Sequence, residues 1–153
     1  MKLSNFIQNA LNEMGYHSLL PIQETVIPMI QEGKSLFVLA KTGSGKTASY
    51  LIPAIEQVNP NDDFTSTLIV APTRELAIQI SLEAKLLASY TQVHIVTLIG
   101  GMDTEKQLNA LRHRPHIIIG TPGRLLDLYT QEAFKLSNLY LFVIDEADQV
   151  YST

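Results

Sequence analysis

The chain has 153 residues, with 11 Lys and Arg against 15 Asp and Glu, a formal net charge of −4 and no cysteine. The length suggests one domain, or a piece of one, with a substantial core, and the lack of cysteine excludes a disulfide framework and a thiolate metal site. The net charge gives no bulk attraction for nucleic acid, so nucleic-acid binding would require a local patch.

The predicted elements begin with two helices. Apolar residues share one face of the first helix, which Ser4 would cap: Phe6, Ile7, Ala10, Leu11 and Met14. The second helix begins at Pro21 and ends at Gly33. This N-terminal segment is too polar for a secretory signal, and no apolar run reaches the ~18 residues of a membrane span. We therefore predict a soluble, cytoplasmic protein without a membrane segment.

Five short apolar runs rich in β-branched or aromatic residues predict five strands. They cover residues 35–40, 67–71, 93–98, 116–120 and 139–145. Apolar residues at helical spacing lie between them: Leu76, Ile80, Ala84 and Leu87 in one segment, and Thr104, Leu108 and Leu111 in another. Alternating strands and helices predict an α/β fold, a parallel sheet with helices on both faces. Ligands of such sheets bind at the carboxyl ends of the strands.

Two further segments are predicted to be loops. Asn, Pro, Asp and Ser cluster within residues 58–66, which favours a loop between two elements. The segment "HRPH" at residues 113–116 is predicted to be a solvated loop. The four histidines, which are His17, His94, His113 and His116, show no metal-ligand spacing.

The segment "AKTGSGKT", residues 40–47, follows the first predicted strand. It matches the phosphate-binding loop G-x-x-x-x-G-K-[ST], except that Ala40 replaces the first Gly. Backbone N–H groups of such a loop and the positive end of the next helix surround phosphate oxygens. Lys46 would contact the β- and γ-phosphates and Thr47 would bind Mg²⁺. The predicted ATP contacts are Thr42, Gly43, Ser44, Gly45, Lys46 and Thr47; the alternative is a Gly-Ser turn that happens to precede a lysine.

The segment "DEAD", residues 145–148, follows the last predicted strand. Asp145 would hold Mg²⁺ mainly through water, because Mg²⁺ loses its hydration shell reluctantly. Glu146 would accept a proton from the attacking water. Lys46, Asp145 and Glu146 are thus the candidate catalytic residues. The alternative is an acidic cap at the start of another helix.

Four motifs occur in a fixed order, each at the end of a predicted strand: "AKTGSGKT", "PTRELA" (72–77), "TPGR" (121–124) and "DEAD". This set resembles the DEAD-box ATP-dependent RNA helicase family over nearly the whole chain. The N-terminal segment is similar to the family's G-[FY]-x-x-P-T-x-I-Q, with matches at Gly15, Tyr16, Ile22 and Gln23. Leu19 and Leu20 replace its Pro and Thr. Phe6 matches an isolated upstream aromatic, and Gly100 and Gly101 match a glycine doublet.

The resemblance implies a RecA-like domain and a set of residue roles. Gln23 would read the adenine edge, Tyr16 would stack on the ring and Phe6 would support this nucleotide contact. Asp148 would couple the nucleotide to a later Ser-Ala-Thr motif in another strand. The residues expected to contact RNA phosphates and 2′-hydroxyls are Pro72, Thr73, Arg74, Gly101, Thr121, Pro122, Gly123 and Arg124.

Simpler structural alternatives remain for two of these motifs. Arg74 and Glu75 fit an ordinary capped helix start, and Arg74 could instead brace neighbouring loops. "TPGR" also fits a Thr cap with Pro in the first helical turn.

The resemblance also implies a domain organisation. Residues 1–33 would hold the helices with the Gln23 segment, and residues 34–153 an incomplete first RecA-like domain. A second RecA-like domain in cis would supply arginines to the ATP site. The Ser-Ala-Thr strand of the family inserts between the phosphate-loop strand and the "DEAD" strand. We therefore expect an empty place with exposed edges there, and no appreciable unwinding or ATP turnover by these residues alone.

The resulting functional hypothesis is an ATP- and Mg²⁺-dependent RNA helicase that acts on single-stranded or short duplex RNA without sequence preference. Two alternatives stay open. One is an RNA clamp that binds ATP and RNA without essential turnover, and the other is a DNA translocase on the same scaffold.

Overall fold

A computed structural model describes residues 36–41 and 46–146. Only the backbone is described, without the side chain, at Leu36, Phe37, Leu39, Lys41 and Glu146. The two predicted N-terminal helices, with Phe6, Tyr16 and Gln23, lie outside the described residues. So do Thr42 to Gly45 of the predicted phosphate loop and Asp148.

In the part of the chain that the structure describes, five strands form one parallel sheet. They are β1 (Leu36–Lys41), β2 (Thr67–Val70), β3 (Ile95–Leu98), β4 (Ile117–Gly120) and β5 (Leu141–Glu146). Their order across the sheet is β1-β5-β2-β4-β3, and every pair is parallel. The five predicted strands and the α/β fold are confirmed, with strand ends that differ from the prediction by at most two residues.

Four helices connect these strands: α1 (Lys46–Glu56), α2 (Arg74–Leu87), α3 (Thr104–Leu111) and α4 (Pro122–Thr130). The predicted inner face of α2 is confirmed at Leu76, Ile80 and Ala84, which are buried. Leu87 is 40% exposed, so its placement on that face was wrong. The four-residue spacing continues to Ala88, which is buried just beyond the helix. Within the described residues, no helix is both long and apolar enough to cross a membrane.

The helices cover both faces of the sheet, as predicted. Buried side chains of α1 and α2 pack on one face with Ile69, Ile117 and Val143 of the central strands. Leu111 of α3, Leu125 and Leu128 of α4, and residues 133–139 pack on the other face. Because both faces are covered, the strands are mostly apolar rather than alternating with polar residues.

The expected gap between the first and last strands is absent. β1 pairs directly with β5 over six residues, from Leu36 opposite Leu141 to Lys41 opposite Glu146. β5 also pairs with β2 through its other edge. The prediction of empty space with exposed strand edges there was therefore wrong, because the backbone groups of β1 and β5 pair with each other.

The predicted loop at residues 58–66 is confirmed, since it contains only turns and bends. The prediction of a solvated loop at residues 113–116 was wrong for His116, which is 6% exposed. Its Nδ1 accepts a hydrogen bond from the backbone N–H of His94 at 2.9 Å. Its Nε2 lies 2.8 Å from the carbonyl oxygen of Asp62 and donates to it, because Nδ1 is the acceptor. His116 thus ties the 58–66 loop to the starts of β3 and β4.

Candidate functional site

The carboxyl ends of all five strands lie along one edge of the sheet, because the strands are parallel. The strand order decides which motifs are neighbours there. β1 leads toward the predicted phosphate loop and adjoins β5, which carries Asp145 and Glu146. β2, β4 and β3 lead to "PTRELA", "TPGR" and the glycine doublet, respectively. The edge is therefore divided into a half with the nucleotide motifs and a half with the motifs expected to bind RNA.

Asp145 is buried at the end of β5, with 1% of its surface exposed. The hydroxyl of Tyr50, in the first two turns of α1, donates to its Oδ2 at 2.5 Å. Burial is the main cause that raises the pKa of Tyr50 well above its ordinary value. The charge of Asp145 and this hydrogen bond raise that pKa further, whereas a hydrogen bond with the Thr47 side chain lowers it. Tyr50 therefore stays a neutral donor at physiological pH.

Tyr50 brings Thr47 and Asp145 to one place, because both interact with its hydroxyl. Within the described residues, no group of three or more His, Asp or Glu side chains could hold a metal ion. A hydroxyl and one carboxylate, with water as the remaining ligands, are a donor set that suits Mg²⁺. The positions of Thr47 and Asp145 thus fit the predicted Mg²⁺ site.

Lys46 is the first residue of α1, and its side chain is exposed. The helix begins directly after the predicted phosphate loop, so its N-terminal N–H groups lie where the motif requires them. At the sheet, the backbone of Lys41 lies opposite Glu146. The end of β1 therefore lies directly beside the candidate water-activating residue on the adjacent strand.

The end of β2 leads directly into α2. The Thr73 side chain accepts from the N–H of Leu76 at 3.1 Å, so the capped helix start foreseen as the simpler alternative is present. Arg74 lies against the glycine doublet: a Cβ added to Gly101 would be 2.6 Å from its Nη1. Gly101 also has a φ of 79°, which a residue with a side chain adopts only at a cost. This packing favours Arg74 as a brace between the two loops.

The end of β4 leads into α4 with Thr121 as cap residue and Pro122 in the first turn. The Thr121 side chain makes no capping hydrogen bond. A Cβ added to Gly123 would contact nothing within 4 Å among the described residues, so the protein's own packing there does not require glycine. Arg124 turns back toward α3, where its Nη1 donates to Thr104 Oγ1 at 3.1 Å and to Gln107 Oε1 at 3.2 Å.

Two residues of this edge are absent from the predicted site: Tyr50 and Gln107. Gln107 is 4% exposed, and its Nε2 donates to the carbonyl oxygen of Ile99 at 2.8 Å. A signal was present for Gln107, because this polar residue stands one helical turn before Leu111, on the buried face of α3. Its partners are far along the chain, so the pattern alone could not name them.

Comparison with known proteins identifies related sequences over nearly the whole chain. The sequence model of the DEAD/DEAH box helicase family matches residues 20–153. The DEAD-box ATP-dependent RNA helicase CshA of Geobacillus kaustophilus is 40% identical over 148 residues, 97% of this chain and 32% of that protein. The ATP-dependent RNA helicase DeaD of Buchnera aphidicola subsp. Acyrthosiphon pisum is 44% identical over 149 residues, 97% of this chain and 25% of that protein. The chain thus spans a quarter to a third of the length of these relatives.

The fold is shared with solved structures, of which two are described. A DEAD box protein from Methanococcus jannaschii aligns with a TM-score of 0.67 and 38% identity, covering 99% of this chain and 42% of that one. A hypothetical ATP-dependent RNA helicase from Sulfolobus tokodaii aligns with a TM-score of 0.60 and 29% identity, covering 94% and 50%, respectively. The RecA-like fold expected from the motifs is confirmed by these neighbours.

Proposed function

The chain belongs to the DEAD/DEAH box helicase family, and from this premise we propose that it forms the ATP-binding part of an RNA helicase. The whole protein would remodel short stretches of RNA and couple this to ATP hydrolysis. Residues 1–33 would contribute the adenine contact through Gln23, Tyr16 and Phe6. Residues 34–153 would belong to the first of two RecA-like domains, the second of which would complete the ATP site in cis.

The observation that carries this proposal is the strand order along the carboxyl edge. β1 and β5, which bear the nucleotide motifs, are neighbours, and β2, β4 and β3, which lead to the motifs expected to bind RNA, follow in that order. Adjacent parallel strands lie about 4.8 Å apart, so β4, which leads to "TPGR", lies roughly 10 Å from β5. One edge of this domain would therefore accommodate a nucleotide and an RNA backbone side by side.

The proposed nucleotide chemistry is in-line attack of water on the γ-phosphorus. Lys46 and the loop Thr42 to Gly45 would hold the phosphates, and Glu146 would orient and deprotonate the water. Thr47 and Asp145 would hold Mg²⁺, which neutralises charge on the phosphate oxygens when bound. Asp148 would transmit the state of the nucleotide toward the RNA half of the edge.

The proposed RNA contacts are to phosphates and 2′-hydroxyls. Thr121 precedes the helix that Pro122 and Gly123 begin. Its hydroxyl makes no capping hydrogen bond, and the Gly123 backbone is uncrowded among the described residues, which supports a close approach of phosphate. Pro72, Thr73, Arg74, Gly101 and Arg124 would complete this surface. Contacts of this kind read no base identity, so binding is expected to be sequence-independent and to weaken with salt.

The test is RNA-stimulated ATP hydrolysis by the full-length protein and its Glu146→Gln variant. We expect the variant to lose turnover by about 10²–10⁴-fold, the contribution of a positioned general base, while it still binds ATP and RNA. Glu132→Gln is the matched control, since Glu132 is an exposed carboxylate just after the end of α4 and belongs to none of the motifs. It should retain wild-type turnover.

Three outcomes would contradict the proposal. A wild-type protein without RNA-stimulated hydrolysis would contradict helicase function. A Glu146→Gln variant that retains full function in cells would favour the RNA clamp. Stronger binding to single-stranded DNA than to RNA would favour the DNA translocase.

A further inference from the structure

We propose that Gln107 is a positioning residue. It joins the glycine-doublet loop to "TPGR" and orients the guanidinium of Arg124 for an RNA phosphate. The inference rests on the proposed function, because it concerns the RNA half of the same edge. Gln107 does not itself contact RNA in this proposal. Its effect passes through the side chain that it holds.

The first support is that Gln107 is buried and uses both ends of its amide. Nε2 donates to the carbonyl oxygen of Ile99, the residue before the glycine doublet, at 2.8 Å. Oε1 accepts from Arg124 Nη1 at 3.2 Å. A buried amide is costly unless both ends are paired. Here one partner, Ile99, directly follows β3, and the other, Arg124, lies in the first turn of the helix that follows the adjacent strand β4.

The second support is the way in which Arg124 is held. Its Nη1 donates to Gln107 and also to Thr104 Oγ1 at 3.1 Å, which uses both N–H groups of that nitrogen. Within residues 46–146, the hydrogen bonds of this guanidinium run from Nη1 alone. The edge formed by Nε and Nη2 therefore keeps the geometry that binds a phosphate through two hydrogen bonds.

The third support is that the same loop is braced from its other side. The Arg74 guanidinium lies against Gly101, where an added Cβ would be 2.6 Å from Nη1. Gln107 thus connects a loop already braced from β2 to the arginine that follows β4. A side chain oriented before binding loses less conformational entropy when the ligand arrives, so affinity depends on the residue that orients it.

The test is a double-mutant cycle in the full-length protein with Gln107→Met and Arg124→Ala. Met has a similar volume to Gln and lacks both hydrogen bonds. Affinity for a fluorescent single-stranded RNA is measured by anisotropy with a non-hydrolysable ATP analogue, over a series of salt concentrations. We expect Gln107→Met to raise Kd about tenfold, as for the loss of one hydrogen bond to a charged group. In the Arg124→Ala background it should change Kd less than twofold.

The salt dependence separates positioning from a general loss of structure. Loss of one phosphate contact on a single strand lowers the slope of log K against log salt by about 0.7 in magnitude. Gln107→Met and Arg124→Ala should each produce this change and leave the affinity for the ATP analogue unchanged. The matched control is Gln131→Met, the same substitution at an exposed residue directly after α4.

A second variant keeps the inference testable if Gln107→Met fails to fold. Thr104→Val removes the other acceptor of Arg124 Nη1 at an exposed position. It should raise Kd about threefold, by the loss of one neutral acceptor, with Thr130→Val as the matched exposed control on α4. The inference would be overturned if Gln107→Met, or Thr104→Val, changed the Kd for RNA by the same factor in the wild-type and Arg124→Ala backgrounds. If wild type does not bind RNA, the proposed function itself fails; if it binds and the cycle is additive, only the positioning role fails.

Discussion

Tyr50 orients the buried carboxylate of Asp145 through a hydrogen bond. Its hydroxyl reaches Asp145 across 95 positions of sequence and also interacts with Thr47. Because burial, followed by the charge of Asp145, raises its pKa, the hydroxyl keeps its proton and remains a donor. A donor at Oδ2 restricts the orientation of the carboxylate before any metal binds.

This raised pKa predicts an alkaline loss of stability that depends on Tyr50. The unfolded chain releases the tyrosine proton near pH 10, whereas the folded protein retains it, so the unfolded state binds fewer protons above that pH. The free energy of unfolding should therefore fall by about 1 kcal/mol per pH unit above pH 10. Urea unfolding of wild type and Tyr50→Phe between pH 8 and 11 measures how the free energy of unfolding depends on pH.

The comparison with Tyr50→Phe isolates the contribution of Tyr50 to the pH dependence of stability, because the other groups that titrate at alkaline pH are present in both proteins. We expect the stability difference between the two proteins to shrink from pH 10 to 11. Spectroscopic titration of the folded proteins up to pH 11 should show the same number of ionising tyrosines in wild type and Tyr50→Phe, because Tyr50 keeps its proton. Equal slopes for the two proteins above pH 10 would contradict the shift.

At the scale of the element, α4 ends in a conformation that its sequence does not favour. Glu132 has a φ of 60°. Its N–H donates to the carbonyl of Tyr129 and the N–H of Ala133 to that of Leu128, both at 2.9 Å. These two hydrogen bonds form a Schellman motif, in which glycine is the preferred residue at the left-handed position. The strain of a non-glycine residue is offset by the packing of residues 133–139 on the sheet.

Glu132→Gly should therefore stabilise the protein. We expect the free energy of unfolding to rise by about 1 kcal/mol, because glycine adopts this φ without a steric penalty. Chemical denaturation measures the change. Glu132→Ala is the control, since it removes the same exposed charge and keeps the Cβ. An equal gain for Glu132→Ala would assign the effect to charge rather than to backbone strain.

At the scale of the whole molecule, the direct pairing of β1 with β5 decides where the nucleotide half of the edge lies. Val38 is opposite Val143, and Val143 is opposite Ile69 of β2. The side chains of all three belong to the cluster on the face covered by α1 and α2. The Cα atoms of Val38 and Val143 are expected to be about 4.8 Å apart, and those of Val38 and Ile69 about 10 Å apart.

Since the chain has no cysteine, this pairing can be tested with one engineered pair. Val38→Cys with Val143→Cys should form a disulfide on oxidation, because its Cα separation lies below the limit of about 7 Å. Val38→Cys with Ile69→Cys is the matched control and should stay reduced. Mass spectrometry after alkylation measures both. A Val38/Val143 pair that stays reduced in the folded protein would contradict direct pairing. That result is the one expected if another strand lay between β1 and β5.

The five strands, the motifs that follow them and the family were all predictable from the amino-acid sequence, because they depend on short patterns and local spacing. The α2 face from Leu76 to Ala84 and the capped helix start were predictable for the same reason. The roles of Gln23 and Asp148 remain predictions.

Three features could be seen only in the folded protein: the adjacency of β1 and β5, the burial of His116, and the contacts of Tyr50 and Gln107. Each depends on partners distant in sequence, and no local pattern records which strand lies beside which. A polar residue becomes part of a site only when the fold supplies its partner. For this reason the motifs predict the two halves of the edge, whereas the residues that hold each half in place emerge from the packing.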